Sequence, residues 1–249
     1  MKCRPSCLGK VIEMRSKLVV GAAAAGVAIV LVAVGGYVYF FSNLRSSPAS
    51  LTLSASPTAS AAIPLTGLAG TWTVTTGSQA RYRVKELFVG ETAKHDAVAQ
   101  TSSVTGTWTV AGDATGYQVS GITVTADLTS LRSIDTVAGR NVSQRDGIVS
   151  RQLDVQQFPK ATFTAASATV PGTVATAQVD VTVSGKLTIH GVTKDVTATA
   201  KAQVVGDKIE IAGTVAIAMT DYGVSPPQVP FTAVDPTATI EFDLFLTKT

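Results

Sequence analysis

The side chains able to do acid–base, metal or nucleophilic chemistry are few and scattered. The chain has two histidines, His95 and His190, and two cysteines, Cys3 and Cys7. A serine or cysteine nucleophile needs a base within hydrogen-bond reach and a third group to orient that base. No G-x-S-x-G, P-loop, H-E-x-x-H or C-x-x-C is present to supply such a set. His95 is followed by Asp96, a loop neighbour and not a dyad. His190 ends an alternating run on its polar parity, so an exposed or turn-bonded imidazole is the better reading; a two-histidine haem ranks below it. Ser143 lies near Arg145 and Asp146 but has no base. Asn141-Val142-Ser143 fits a glycosylation sequon, a pattern too short to be specific. Arg145 and Asp146 are the charges most suggestive of a designed contact. Neighbours on a helix cannot face each other, so each is expected to bond to backbone or to an opposite charge elsewhere, holding its helix in place. Glu86 sits on the apolar parity of its strand. A solvated strand end is the first reading, and an acid paired with an arginine of that helix is the second.

These residues must be positioned by strands. From Gly70 onward, short runs alternate between apolar and polar residues. Trp72 and Val74 share a parity; so do Ala80, Tyr82 and Val84, with Arg81, Arg83 and Lys85 opposite. Around Gly121 the apolar parity switches, from Tyr117 and Val119 to Ile122 and Val124, which predicts a bulge or bend. Val179, Val181, Val183, Leu187 and Ile189 line one face of a long strand, and Ile240, Phe242, Leu244 and Leu246 close the domain. Roughly eight strands with one apolar face and no crossover helices predict an all-β antiparallel barrel or sandwich. Alternation stops only between Arg145 and Phe163. There Val142, Val149 and Leu153, with Ile148 beside them, suggest one helix face, and Pro159 ends it. A helix inserted into a β domain is expected to be a lid over an apolar mouth.

The first quarter of the chain differs. Residues 18–41 carry no charge across 24 residues. At ~1.5 Å per residue this run spans about 36 Å, enough to cross ~30 Å of hydrocarbon. Lys2, Arg4, Lys10, Arg15 and Lys17 precede it against Glu13 alone. Positive-inside reasoning puts residues 1–17 in the cytoplasm and the rest outside, as a single-pass protein of the cell membrane. Secretion after signal cleavage is the alternative, although the run is longer than a signal peptide's ~7–15-residue apolar region. Both cysteines lie before the run, so the outer region has no disulfide to form. Residues 42–69 are rich in Ser, Ala, Thr and Pro and read as a flexible linker of about 30 Å reach. The chain after the run is close to charge-neutral, so the pI near 8.9 comes from the tail, and nothing points to nucleic acid.

Two stretches carry a resemblance. Arg145-Asp146, a short helix, Asp154-Val155, Phe158-Pro159 and Phe163 resemble the central motif of the YceI-like, polyisoprenoid-binding family. Gly185-Lys186-Leu187-Thr188-Ile189-His190-Gly191-Val192-Thr193-Lys194 is similar to its second signature. Leu153 departs from the pattern, where the family commonly has an aromatic. The resemblance runs from about Gly70 to Lys248. It implies an eight-stranded lipocalin-like barrel over residues 70–249 with a helical lid, following the transmembrane helix read above from residues 18–41. It also implies a non-enzymatic carrier or sequestering protein for a polyisoprenoid or similar amphipathic lipid outside the cytoplasmic membrane. An isoprenoid quinone is a further candidate ligand; no cofactor or metal is expected, and a dimer is allowed. Expected lining residues are Tyr82, Val84, Val149, Leu153, Phe158, Phe163, Leu187, Ile189, Met219, Tyr222, Phe231 and Phe242, with Arg145, Asp146, Pro159, Gly185 and Gly191 as structural positions of the lid and its seat. The competing reading, from another class, is a structural or sensory ectodomain whose barrel is filled and whose loops bind protein. A lipid hydrolase or isomerase is third, for want of a nucleophile and base.

Overall fold

Residues that alternate in polarity place every second side chain on the same face of a strand, and here the apolar set turns inward around a closed sheet. The structure is a computed structural model that describes residues 26–37, 45–54, 67–137, 139–230 and 232–249. Its strands are β1 (Arg45–Ser46), β2 (Gly70–Val74), β3 (Gln79–Phe88), β4 (His95–Thr101), β5 (Val104–Asp113), β6 (Gly116–Asp127), β7 (Arg132–Ser133), β8 (Thr136–Val137), β9 (Lys160–Pro171), β10 (Val179–Ile189), β11 (Val192–Val205), β12 (Lys208–Ala218), β13 (Gln228–Val229) and β14 (Thr232–Lys248). Residues 26–37 form the helix α1, and Gln144–Gln152 forms α2.

The barrel has eight staves, all antiparallel. Two of them are broken strands: β2 runs into β3, and β4 into β5. Both halves of the first stave pair with β14, Val74 opposite Leu246 and Gln79 opposite Asp243. At the break the Ser78 hydroxyl donates to the Thr75 carbonyl at 2.7 Å and accepts from the Phe245 N–H at 2.9 Å, so the ladder is bridged by a side chain. From β4/β5 the order continues through β6, β9, β10, β11 and β12, and β12 pairs with β14 to close the ring. No free edge remains in this ring, and closure is how such sheets avoid one. Gly121 is the expected irregularity: its φ is +63°, and the β5–β6 register shifts beside it.

Side-chain size divides the interior in two. Trp72, Trp108, Tyr117, Val119, Val179, Val181, Leu244 and Leu246 are buried together and fill one half. The other half is lined mainly by smaller aliphatics, among them Val84, Ala97, Leu187, Ile189, Val215 and Ala238. Phe163 and Phe242 pack against both groups and separate them.

The chain divides into two units, of which the barrel is residues 47–135 with 139–249. In the other unit, α1 exposes Val27, Ile29, Leu31 and Val34, and β1 pairs with β8. Among the described residues no helix is long and apolar enough to cross a membrane. The span expected over residues 18–41 lies partly outside the described residues, with only 26–37 inside them.

The linker reading needs a correction. Residues 47–54 are not a free coil but lie against the outer face of β3, β12 and β14. Glu210 accepts from the Ser54 N–H at 2.7 Å and its hydroxyl at 2.6 Å. Arg83 donates to the Pro48 carbonyl at 2.8 Å and to Glu241 at 2.6 Å, and Gln203 donates to the Ser54 carbonyl. Composition could not show this, because the partners are polar and charged side chains on strands 35 to 190 residues away. The arrangement buries Glu210, Glu241 and Asp243. Burial, with the Glu210 charge beside it and Arg81 opposing, pushes the Asp243 carboxyl up to about 6.

A folded-state value above the unfolded one means a burden that is absent below pH 4 and grows as pH rises through 6. Asp243→Asn is therefore expected to raise the unfolding free energy at pH 7 by up to about 3 kcal/mol and to leave it unchanged near pH 4. Urea unfolding at the two pH values checks this. An equal effect at both would remove the burden assigned to the charge.

Candidate functional site

The hollow half of the barrel contains a cavity of about 590 Å³. Its walls come from β3, β4, β6, β9, β10, β12, β14 and α2, with the loop before α2 and the turn after β12. Of the residues expected to line it, Tyr82, Val84, Val149, Leu153, Leu187, Ile189, Met219 and Tyr222 do so. Phe163 and Phe242 do not: their rings partition the interior. Phe158 does not either. Its ring lies edge-on to His190 at 5.2 Å between centroids, outside the lining. Phe231 lies outside the described residues. Leu128, Leu131, Ile148, Ile217, Val234 and Ile240 line the cavity as well; strand alternation shows an inward face but not which end of the barrel stays open.

One wall is polar and tightly built. Glu86 on β3 and His95 on β4 stand directly opposite in the ladder, both facing inward and both buried. The loop after β7 brings Asp135 to them, 2% exposed, and α2 brings Arg145. The Arg145 guanidinium donates to Glu86 at 2.6 Å and to both oxygens of Asp135 at 2.7 and 3.2 Å. Asp135 also shares a 2.7 Å hydrogen bond with His95 Nε2 and accepts from the Val98 N–H at 3.0 Å. Burial works against the Asp135 carboxylate, but the bonds from His95 and Arg145, the Arg145 charge and the Val98 N–H hold it down at about 2. Burial pushes the Glu86 carboxyl up despite the opposing Arg145 charge, and it pushes the neighbouring Tyr82 phenol up as well.

These positions correct two readings. Glu86 is not a solvated strand end but the partner of the helix arginine. His95 is not a loop residue but lies on β4, where its partner is Asp135. Nothing in Ser133-Ile134-Asp135-Thr136 distinguishes that aspartate from an ordinary turn carboxylate, so no sequence signal could have found it. Glu86, His95 and Asp135 are close enough to share a metal ion, but the guanidinium already occupies the position between the two carboxylates. The donor set does not fit a cation while Arg145 is there.

Further contacts fasten the lid. Asp146 does not pair with Arg145; it accepts from the Ser133 N–H at 2.9 Å, and Arg145 reaches the Ser133 hydroxyl at 3.4 Å. Arg140 stacks over the Phe88 ring at 4.0 Å, and Gln152 donates to the Ser225 carbonyl at 3.0 Å. Asn141 accepts from both the Ser143 N–H and hydroxyl, an Asx turn that starts the helix. α2 stops at Gln152, earlier than the expected Phe158. Asp154 takes φ +42° and a turn bonded to its carbonyl leads to Phe158, so Pro159 follows a turn and not the helix. The two sequence motifs meet here. A Cβ on Gly191, whose φ is +73°, would stand 2.6 Å from the Phe158 ring; one on Gly185 would stand 2.6 Å from Phe163. Each glycine leaves room for a phenylalanine from the other motif. His190 is turn-bonded, its Nδ1 at 3.2 Å from the Tyr222 carbonyl.

The YceI-like domain model matches residues 72–246. Among solved structures, a polyisoprenoid binding domain from Saccharophagus degradans implicated in plant cell wall breakdown is 16% identical, with a TM-score of 0.49 over 73% of this chain and 99% of that one. BcnA of Burkholderia cenocepacia is 19% identical, with a TM-score of 0.43 over 66% and 95%. A YceI protein of Campylobacter jejuni is 18% identical, with a TM-score of 0.42 over 64% and 92%. A comparison with curated proteins gives no match.

Removing one partner of a buried charged bond typically costs ~3–5 kcal/mol, against ~1 for a single hydrogen bond nearer the surface. Arg145→Ala is expected to destabilise by that larger amount and Asp146→Ala by about 1 kcal/mol, read by urea unfolding at pH 7. Because Asp135 is held below its unfolded value, its contribution of about 2 kcal/mol is full above pH 4 and lost as pH falls through 2. Asp135→Asn should lower stability at pH 7 and converge on the wild type near pH 2. An Arg145→Ala variant within 1 kcal/mol of wild type would make this cluster an ordinary surface ion pair.

Proposed function

The chain belongs to the YceI-like domain family, and on that premise we propose that its barrel binds a polyisoprenoid or similar amphipathic lipid, as a carrier or sequestering protein and not an enzyme. The observation that carries this reading is the cavity. Its 590 Å³ falls within the ~300–1,000 Å³ of small-molecule sites, and its walls are largely aliphatic. Burying a chain of about ten carbons there would contribute about 8 kcal/mol at ~0.8 kcal/mol per CH₂, against an association cost of several kcal/mol. Few polar contacts are then required. The cavity also weighs against the filled-barrel ectodomain, since small residues such as Ala97 and Ala238 leave space that a packed core would close.

The proposal includes placement. Residues 18–41 would anchor the chain in the cell membrane, with residues 1–17 in the cytoplasm and the barrel outside, where an isoprenoid lipid or isoprenoid quinone is the ligand. The uncharged run, its basic flank and the exposed apolar side chains of α1 support this. Secretion after cleavage is the alternative, and a dimer is allowed.

The lining supplies the test. Leu187 is buried and faces the cavity, whereas Lys186, next in sequence, is exposed and paired with Asp195 at 2.8 Å. Leu187→Arg should abolish lipid carried through purification, because an inward guanidinium would be desolvated without a partner. Lys186→Ala should retain wild-type lipid. Native mass spectrometry reads both. Equal lipid on two folded variants would sink the proposal that the cavity is the binding site.

A further inference from the structure

The segment of residues 47–54 lies on the barrel as a strap, and the strap has a direction. Ser47 donates its hydroxyl to the carbonyl of Asp96, which stands opposite Lys85 on β3, at 2.6 Å. The Pro48 carbonyl accepts from Arg83 at 2.8 Å and the Ala49 carbonyl from Arg81 at 3.2 Å, so the strap runs against the course of β3. The Leu51 N–H then reaches Glu241 at 3.4 Å, and Ser54 ends on Glu210. Tyr82 and Val84, on either side of Arg83, line the cavity. Ile209 and Ile211, on either side of Glu210, pack in the filled half. The strap therefore begins beside the hollow half and ends beside the filled one. Its first residue also follows the uncharged run closely. Only residues 42–46 separate that run from Ser47, and at ~3.6 Å each they reach at most about 18 Å. A free coil over residues 42–69 would let the barrel swing. The docked strap leaves this short tether, attached at the hollow end.

We propose that the strap turns the hollow half of the barrel toward the bilayer that anchors the chain, so that lipid passes directly between that bilayer and the cavity. This rests on the lipid-binding and anchoring readings above and adds a source to them. The surface of the two ends agrees with it. At the hollow end the β3–β4 hairpin turns at Val89, which is 70% exposed. Val89 directly follows Phe88, a cavity-lining residue whose ring carries the exposed Arg140 at 4.0 Å. An exposed apolar side chain beside a cation suits a boundary of acyl chains and phosphates. At the filled end the β5–β6 turn is polar, with Asp113 accepting from the Thr115 N–H at 2.9 Å and its hydroxyl at 2.7 Å. A barrel hung by its filled end would have to carry lipid through water to reach the same bilayer.

The test uses the full chain, with Cys3→Ser and Cys7→Ser, in phosphatidylcholine–phosphatidylglycerol vesicles that contain a C20 prenol and a lipid spin-labelled on its headgroup. A bimane is attached at Val89→Cys or at Ala114→Cys, which lies in the β5–β6 turn. The label at 89 should lose most of its emission to the spin label, and the label at 114 should keep its own. Replacing residues 47–54 by a Gly/Ser segment of equal length should erase that difference and slow prenol loading from the vesicle, with the melting temperature reporting that the barrel is folded. Equal quenching at the two positions of the intact chain, or quenching at neither, would overturn the orientation. Native mass spectrometry of the intact chain judges the lipid reading separately: bound prenol leaves it standing when the orientation fails, and absence of prenol sinks it whatever the labels show. A chain that does not float with the vesicles would remove the anchor and the proposal together.

Discussion

One guanidinium holds the open half of this barrel together. Arg145 enters from a short helix and finds Glu86 from the barrel wall and Asp135 from a loop, all three largely shielded from water. Two buried carboxylates without a cation would repel each other and lose their hydration, so neither the wall nor the loop can hold this arrangement alone. A helix whose side chains are nowhere fully buried has little apolar packing to keep it in place. Its attachment is therefore polar and directional. A buried ionic contact adds little net stability over an apolar one, but it fixes one geometry. Over a cavity, where packing cannot define position, that geometry is what is required.

The division of the interior follows from side-chain size. Trp72, Trp108 and Tyr117 occupy one half, and the phenylalanine rings at 163 and 242 end it. Beyond them the inward positions are mainly Val, Ala, Ile and Leu, with Tyr82, Phe88, Met219 and Tyr222 among them. An eight-stranded barrel is near the limit at which side chains fill the interior, so exchanging aromatics for alanine is enough to open a space. The two glycine positions in the second motif serve the same boundary. Gly185 admits the Phe163 ring and Gly191 admits Phe158. Lid, partition and strand are thus fitted to one another through one glycine and one aromatic ring at each contact.

Much of this was legible because parity is a local property. The apolar faces of β10 and β14, the bulge at Gly121 and the absence of a pair between Arg145 and Asp146 all follow from spacing alone. What was not legible depends on distant partners. Glu86 sits on the wrong parity for a solvated acid, and that anomaly is a usable signal, but its partner Arg145 is 59 residues away and spacing cannot name it. Asp135 gave no signal, since a carboxylate in a polar loop looks the same whether it faces water or a guanidinium. The docking of residues 47–54 was hidden for a similar reason: Ser, Pro and Ala describe a coil equally well when their backbone is bonded to Glu210 and Arg83. Phenylalanines are large and apolar wherever they stand, but which of them face space and which divide it depends on how the strands cross.

The claim that the lid is held by charge pairing, and not by the helix's own packing, is tested most directly by a double-mutant cycle on Arg145→Met and Glu86→Leu, read as unfolding free energies at pH 7. The account predicts a coupling of about 2–3 kcal/mol, with the double variant much less destabilised than the two single losses combined. Additivity to within about 0.5 kcal/mol would contradict it, and would mean that the two side chains meet in the structure without supporting each other.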